Sequence, residues 1–494
     1  MIKRTFLLFL IYLFFLKAYS QQGINNIWLS GYDNAFGETK INFITGSPNI
    51  VAYPIPMDFN YTHANISDSL GNLLFYTNGC YIADASNDTM QNGTGINPGA
   101  YANTFSDGLL IPQGALIISK PWSNGVYYLF HNTADAYPIV PNNSTSYYFY
   151  VTTINMALNN GLGAVVQKNQ ILIADSMNAG KITGCKHANG RDWWVFCHRV
   201  NSNTFHKFLV TPYGINGPYS QQIGAVRIDD AGQAKFSSDG NRFAYYHYYN
   251  GLDIFDFDRC SGMLSNVISD TSLPYIIGNV GCEFSPNSDV LYVSNIEKVY
   301  QYDLTASNIL LSKAVVATYD LFYDSFPGLG TYLCLSQLAP DGKIYITTGN
   351  GTRYLHTINS PDSIGLNCNL AQHSLFMPTF SFNTLPNPPN YFLGKIPGGP
   401  CDTVPLNIGI SELPETIPKI FPNPTTGIFT LWFKVHDKEG WIEIFDIQGM
   451  CIRKELISSW SQYKQMDITS EPAGIYFCRM SWGSRYSSCK VIKE

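Results

Sequence analysis

Charge is scarce in this chain. Asp, Glu, Lys and Arg make up 13% of 494 residues, about half the usual share of roughly 25%. The net charge is −6 and the basic residues are scattered, which leaves no footprint for nucleic acid. The sequence contains no G-x-S-x-G elbow, Walker loop, dinucleotide fingerprint or H-E-x-x-H. That removes the common hydrolase, nucleotide-binding and zinc-protease signatures, and no cofactor is expected. Long apolar runs are missing too. The longest, Phe6 to Leu16, falls short of the roughly 20 residues that span a bilayer, so the mature chain should carry no transmembrane segment. Cysteine is sparse, with 11 residues, so no disulfide scaffold is implied. Cys185 with Cys197, or Cys368 with Cys401, could bridge, although neither spacing is diagnostic; most of the cysteines read as small buried side chains.

Aromatics reach 14%, with 33 Tyr, 30 Phe and 41 Gly. This favours strands and turns over helices and an exported protein over a cytosolic one. The N-terminus agrees. Lys3 and Arg4 precede the apolar run, and Ala18-Tyr19-Ser20 forms a cleavage site. Residues 1–20 therefore read as a signal peptide cut between Ser20 and Gln21.

A strand–turn–strand unit recurs. Ala234–Asp258 carries Ser238-Asp239-Gly240 as its turn, followed by an aromatic run too uniformly apolar for a sheet with one wet face. Counterpart turns lie at Gly71, Gly125, Gly190, Ser288 and Gly342, with successive steps of 54, 65, 50, 48 and 54 residues. A period near 50 with several short strands per repeat is the arithmetic of a β-propeller with four-stranded blades. The long step contains Ala134 to Ser146, read as a Pro- and Asn-rich surface loop. Seven blades are preferred and six are the alternative; a pair of β-sandwiches is the rival architecture. The seventh blade would pair Ser374–Lys395 with N-terminal strands near Ile27–Ser30 and Ile41–Thr45. This places the propeller at 21–396 and a Pro/Gly-rich linker at 397–418. A smaller all-β unit at 419–494 should then fold as an Ig-like sandwich of six or seven strands.

That final unit resembles the C-terminal sorting domain of type IX secretion cargo from Bacteroidota. The resemblance rests on Ile420-Phe421-Pro422-Asn423-Pro424-Thr425-Thr426-Gly427, Ile444-Phe445-Asp446-Ile447-Gln448-Gly449, Pro472-Ala473-Gly474-Ile475-Tyr476-Phe477 and the closing Lys490-Val491-Ile492-Lys493-Glu494. Pro422, Asn423, Pro424, Gly427, Asp446, Gly449, Gly474, Tyr476 and Lys490 carry the motif. It implies passage through the outer membrane by the type IX machinery, with the domain commonly removed and the cargo released or attached to surface lipopolysaccharide. Residues 24–396 resemble a Bacteroidota propeller family, WD40/YVTN-like in its repeats, that often precedes this domain. That resemblance rests on Gly71-Asn72-Leu73-Leu74-Phe75-Tyr76-Thr77-Asn78-Gly79, Lys186-His187-Ala188-Asn189-Gly190 and Leu385-Pro386-Asn387-Pro388-Pro389-Asn390-Tyr391, among others. It carries no catalytic residue over.

Candidate chemistry is thin. His187, His198 and His206 lie within twenty residues, yet strand periodicity argues against a shared metal. Asp229, Asp230, Asp239, Asp253, Asp256 and Asp258 cluster without a calcium-loop pattern and read as strand-end residues. The tyrosine bands 127–128, 147–148 and 245–249 could stack on sugars or fill the spaces between blades. Five Asp-Ser/Thr-apolar triplets (68–70, 88–90, 175–177, 362–364 and 402–404) resemble a Bacteroidota O-glycosylation sequon. The reading is a secreted or surface-held propeller that binds an extracellular glycan or protein. Its rival is a propeller hydrolase or lyase acting on a polysaccharide or lactone, which would need carboxylates, histidines or a metal converging in one central pocket.

Overall fold

The computed structural model describes residues 23–32, 37–105, 108–133, 145–228, 231–249, 251–276, 278–399, 401, 418–433, 438–458, 463–483 and 485–494. The signal-peptide reading, with Ser20 and Gln21, lies outside them, as do Asp229, Asp230 and most of the 397–418 linker. The chain divides into two compact units, residues 1–403 and 404–494. No helix among the described residues is long and apolar enough to cross a membrane.

Among the described residues, seven sheets of three or four strands follow one another along the first unit, with a two-stranded ribbon of Tyr323–Asp324 and Leu329–Gly330 between the sixth and the seventh. The first two have three strands each: Ile27–Ser30, Glu38–Asn42 and Asn49–Tyr53, then Ala64–Ser67, Leu73–Thr77 and Ile82–Asp84. The next five are four-stranded antiparallel meanders whose first strands are Ala115–Ser119, Thr183–Lys186, Gly232–Phe236, Gly281–Phe284 and Ser336–Leu338. Each sheet is apolar on both faces, so each must share a core with two neighbours.

Seven separate cores meet that need and close the sheets into a ring. Leu29 packs with Tyr76 between blades one and two, and Phe75 with Leu129 between two and three. Phe130 meets Trp193, then Phe196 meets Phe243, and Ile254 meets Leu291. Tyr292 packs with Ile344 between six and seven, and Tyr345 and Met377 of blade seven pack on Trp28 and Phe43 to complete the circle. This is a seven-bladed β-propeller. The aromatic run of the fifth blade, Arg242–His247, is buried on both faces, which is why it lacks polar alternation.

The repeated turn has one backbone conformation. Gly71, Gly125, Gly190, Gly240, Ser288 and Gly342 each join the first two strands of a blade, with φ between 67° and 85°. That left-handed region explains glycine at five of the six positions. Asp239 shows what the preceding residue does: its carboxylate accepts Asn241 N–H at 3.0 Å and Ser237 Oγ–H at 2.6 Å.

The seventh blade closes differently from the sequence expectation. Leu370–Ser381 pairs with Thr352–Ile358 as the outer strand of blade seven, while the N-terminal strands form a sheet of their own. No ladder joins the two: Ser30 Oγ lies 2.9 Å from Ser381 Oγ, Thr39 Oγ1 lies 2.7 Å from Thr379 Oγ1, and Tyr32 N donates to Phe380 O at 3.3 Å. Residues 382–396 are needed elsewhere. The Ala134–Ser146 loop is also shorter than expected, because Thr145 and Ser146 open the strand Thr145–Asn155; residues 134–144 lie outside the described set. Neither expected cysteine pair forms. Cys185 and Cys197 face different inter-blade cores, and Cys368 is buried between blades six and seven. The disulfide instead joins Cys260 to Cys401.

The second unit is a seven-stranded Ig-like sandwich. One sheet holds Lys419–Phe421, Ile428–Trp432 and Tyr463–Asp467; the other is ordered Cys451–Ile457, Gly440–Phe445, Gly474–Trp482 and Arg485–Lys493. Phe429, Leu431 and Phe433 meet Ile442, Ile444, Met480 and Val491 between the sheets.

Candidate functional site

In each four-stranded blade the antiparallel order puts the first and last hairpins on one side of the ring, here the turn face. The middle loop and the connection to the next blade lie on the other, the loop face. The segment that leaves blade seven crosses between them. Thr384 Oγ1 donates to Phe59 O at 2.9 Å on the loop face, and Asn390 Nδ2 donates to Ser238 O at 2.7 Å on the turn face. Farther on, Ile396 N donates to Ala188 O at 2.8 Å. Residues 382–391 therefore run along the ring axis, and residues 392–396, largely exposed, continue over the turn face.

Amide side chains tie this segment to the ring. Buried Asn387 donates to Ala115 O at 3.0 Å and Ile182 O at 2.8 Å, and accepts from Gln113 Nε2 at 3.0 Å. Gln113 also bonds both backbone groups of Ala234. Gln233 repeats the pattern, accepting from Cys282 N and Ser336 N and donating to Ser336 O. Two residues along the strand from Gln233, buried Lys235 pairs with Glu283 of blade six at 3.0 Å and also donates to Gln337 of blade seven, so neutral amides and one buried ion pair hold the inner strands together.

The histidines and aspartates singled out in the sequence do not converge on one site, although Asp239 and Asp256 share a pocket. Lys186 pairs with Trp193 at one end of the blade-four hairpin, which puts His187 at the turn face, whereas His198 ends its strand at the loop face. His198 and His247 are buried near Lys181 and Arg227; desolvation, reinforced by those cations, holds both imidazoles far below their ordinary value. Asp253 pairs with buried Arg227 at 2.5 Å on the loop side. Asp258, at the opposite end of the same strand, accepts from Cys260 N and Ser261 Oγ. Asp256 accepts from Asn266, and with Asp239, Asp289 and Arg242 it lines an open pocket of about 450 Å³. Among the described residues no group of three His, Cys, Asp or Glu could hold a metal ion. One carboxyl pair was not legible in the sequence. Glu38 is fully buried beside Asp58, and burial together with the Asp58 carboxyl pushes it up to about 8.

The tyrosine bands divide. Tyr128, Tyr245 and Tyr246 fill cores, while Tyr147, Tyr148 and Tyr249 are exposed. Of the glycosylation-like triplets, Ser69 and Thr89 are exposed and Ser176 and Ser363 half-buried; residues 402–404 are outside the described set.

A different aromatic stands out on the turn face. Trp122 is 61% exposed and has a φ of 56°, a conformation that bulky side chains rarely adopt. The Arg191 guanidinium lies 4.3 Å from its ring centroid and is itself gripped by Asp192 at 2.7 and 2.8 Å. Tyr213, 89% exposed on the last hairpin of blade four, adds to the electrostatics of Arg191. The signal was present in the sequence. Trp122 occupies one of the repeated turns, where polar residues are the rule.

In the second unit the motif residues form a clasp and two turns. Asn423 Nδ2 donates to Lys490 O at 2.9 Å, and its Oδ1 accepts Ile492 N–H at 2.8 Å. Thr425 N donates to Ile492 O and Glu494 N donates to Thr425 O, so the first motif is stitched to the last. Pro422 and Pro424 flank Asn423 on the surface. Gly427 has φ 133°, and a Cβ there would sit 2.6 Å from Thr469 Cα. Asp446 accepts from Gln448 N and Met450 N around Gly449 (φ 82°), and Tyr476 O–H donates to Pro472 O at 2.6 Å across Gly474.

Residues 419–494 match the model of the secretion system C-terminal sorting domain. No curated protein matches the chain. Among solved structures, the periplasmic gluconolactonase PpgL of Pseudomonas aeruginosa is 11% identical with a TM-score of 0.42, covering 73% of this chain and 98% of its own. A putative 6-phosphogluconolactonase from Bacteroides fragilis is 13% identical with a TM-score of 0.40, covering 74% and 97%. The β-propeller domain of Cps50 (Swd1) from Myceliophteria thermophila is 10% identical with a TM-score of 0.36, covering 66% and 91%. Likeness at that level transfers no activity. Residues 419–494 belong to the secretion system C-terminal sorting domain family, and that tail directs the chain through the type IX secretion system to the cell surface or the extracellular space.

Proposed function

We propose that the protein is an exported propeller that captures an extracellular glycan or protein on its turn face, carried there by the type IX machinery. The observation that supports this reading is Trp122, an indole kept exposed in an unfavourable backbone conformation and buttressed by Arg191. A flat aromatic face beside a fixed cation suits the apolar side of a sugar ring and its hydroxyl rim. The ring supplies rigidity, because its own chain and amides occupy the axis. A hydrolase or lyase at the axis is disfavoured by the same occupancy.

A glycan array probed with the exported protein and its Trp122→Ala variant tests the reading. Binding that drops at least tenfold in the variant supports it; equal binding by both, or none by either, counts against it. The sorting role is assigned to the clasp of Asn423, Thr425 and Lys490, and to the turns at Gly427, Asp446, Gly449, Gly474 and Tyr476. Asn423→Ala removes both clasp bonds from its side chain and should lower surface delivery several-fold, whereas deletion of 418–494 should leave the ring in the periplasm. Normal delivery of the deletion would refute the assignment.

A further inference from the structure

The terminal strand of the sorting domain carries a cysteine directly opposite another. Cys489 pairs with Cys478 in the antiparallel ladder between Arg485–Lys493 and Gly474–Trp482. Directly opposed residues on such strands point to the same face, with Cα atoms about 4.5–5.5 Å apart. That range lies inside the one a disulfide requires. Both side chains belong to the inner face: Cys478 is fully buried, and Cys489 packs half-buried against the same core. The Cys489 thiol donates to Cys478 O at 3.9 Å, and the closeness of the two thiols draws that of Cys489 below its ordinary value and pushes that of Cys478 above it. Cys451, in contrast, is exposed and faces Phe445.

We propose that Cys478 and Cys489 are a modification site, oxidised to a cross-strand disulfide during export, which staples the clasp-bearing terminal strand to the sandwich. This rests on the chain crossing an oxidising compartment, as the sorting tail implies. The oxidant is a protein disulfide. Cys489, the half-exposed thiol, attacks as thiolate and forms a mixed disulfide, expelling one sulfur of the oxidant as a thiolate. Cys478 then loses its proton and attacks Cys489 Sγ, releasing the oxidant as a dithiol. Two electrons and two protons leave the tail, and one S–S bond forms. The staple lies next to Lys490, whose carbonyl receives Asn423, so the new bond holds the strand on which the clasp closes.

The test uses the purified full-length chain equilibrated in glutathione redox buffer, alkylated and digested with trypsin without reduction. Cleavage isolates Cys478 in residues 465–479 and Cys489 in residues 486–490. The expected result is recovery of these two peptides as one disulfide-linked species, with Cys451 alkylated or glutathionylated. Recovery of both cysteines singly, alkylated or carrying glutathione, overturns the proposal, whatever route the protein takes out of the cell. As a second readout, hydrogen exchange of residues 485–493 should slow at least tenfold on oxidation in the wild type and stay unchanged in Cys489→Ser. Equal slowing in that variant also overturns it.

Discussion

Replacing Asn387 tests the axial segment most directly. Its amide is buried on the axis and serves three partners from two blades: two carbonyls that it satisfies as a donor, and Gln113, from which it accepts. Asn387→Ala orphans the carbonyls of Ala115 and Ile182. Each buried group left unpaired costs about 1–3 kcal/mol, and a small cavity adds to that, so a loss of about 3–5 kcal/mol follows. Gln113 keeps its bonds to Ala234, which caps the loss. For a ring of roughly 370 residues the unfolding entropy is about 0.8 kcal/mol/K, so the loss should appear as a Tm lower by about 4–6 °C. Asn387→Asp should be worse, since a carboxylate would face two carbonyl oxygens. Asn390→Ala is the control: its side chain is half-buried, donates to Ser238 O and accepts from the N–H of exposed Phe392, where water can take over, so it should cost about 1–2 kcal/mol. Calorimetry of the full chain is the assay, the ring being identified by its larger unfolding enthalpy. Equal shifts for the 387 and 390 variants, or less than about 1 °C for Asn387→Ala, would refute the picture of an amide-locked axis.

Two further outcomes follow from other contacts. Glu38 titrates near 8 in the fold and at its ordinary 4.5 when unfolded, so the folded state holds a proton that the unfolded chain releases. The associated stability is complete below about pH 4.5 and is lost as pH rises through 8, on the order of 5 kcal/mol; Glu38→Gln should flatten this slope in thermal scans from pH 4.5 to 9. A wild-type ring that grows more stable across that range would contradict the burial argument. The Cys260–Cys401 bond spans 141 residues, for which loop-closure entropy sets a ceiling of about 5 kcal/mol. The Cys260→Ser, Cys401→Ser double variant should melt up to about 6 °C lower, and reduced wild type should match it.

Much of the fold was written in local chemistry. Glycine at a left-handed turn position recurs because the backbone at Gly71, Gly125, Gly190, Gly240 and Gly342 demands it, and the aromatic run after Gly240 is apolar because both its faces are covered. Local signals of this kind need no knowledge of distant residues. The same holds for the sorting motif, whose prolines, glycines and aspartates sit in turns. Strand periodicity also argues against a metal shared by His187 and His198, and in the fold one stands at the hairpin turn and the other at the far end of the strand that leaves it.

Composition and spacing could not place the partners of residues far apart along the chain. Asn387 meets Gln113 and Cys260 meets Cys401 only once the ring has closed, and Glu38 meets Asp58 only once the connection after blade one folds back on it. Those pairings depend on which residues face the axis and which sheet packs on which. The seventh blade shows the limit most clearly. The repeat showed six turns and left seven blades preferred over six, but it did not give the strands of the last blade, because residues 382–396 have the same extended, polar and proline-rich character whether they add to a sheet edge or thread a channel. Only the tertiary structure chose between these, since the amides of this segment find buried carbonyls on the axis that an edge position would not offer.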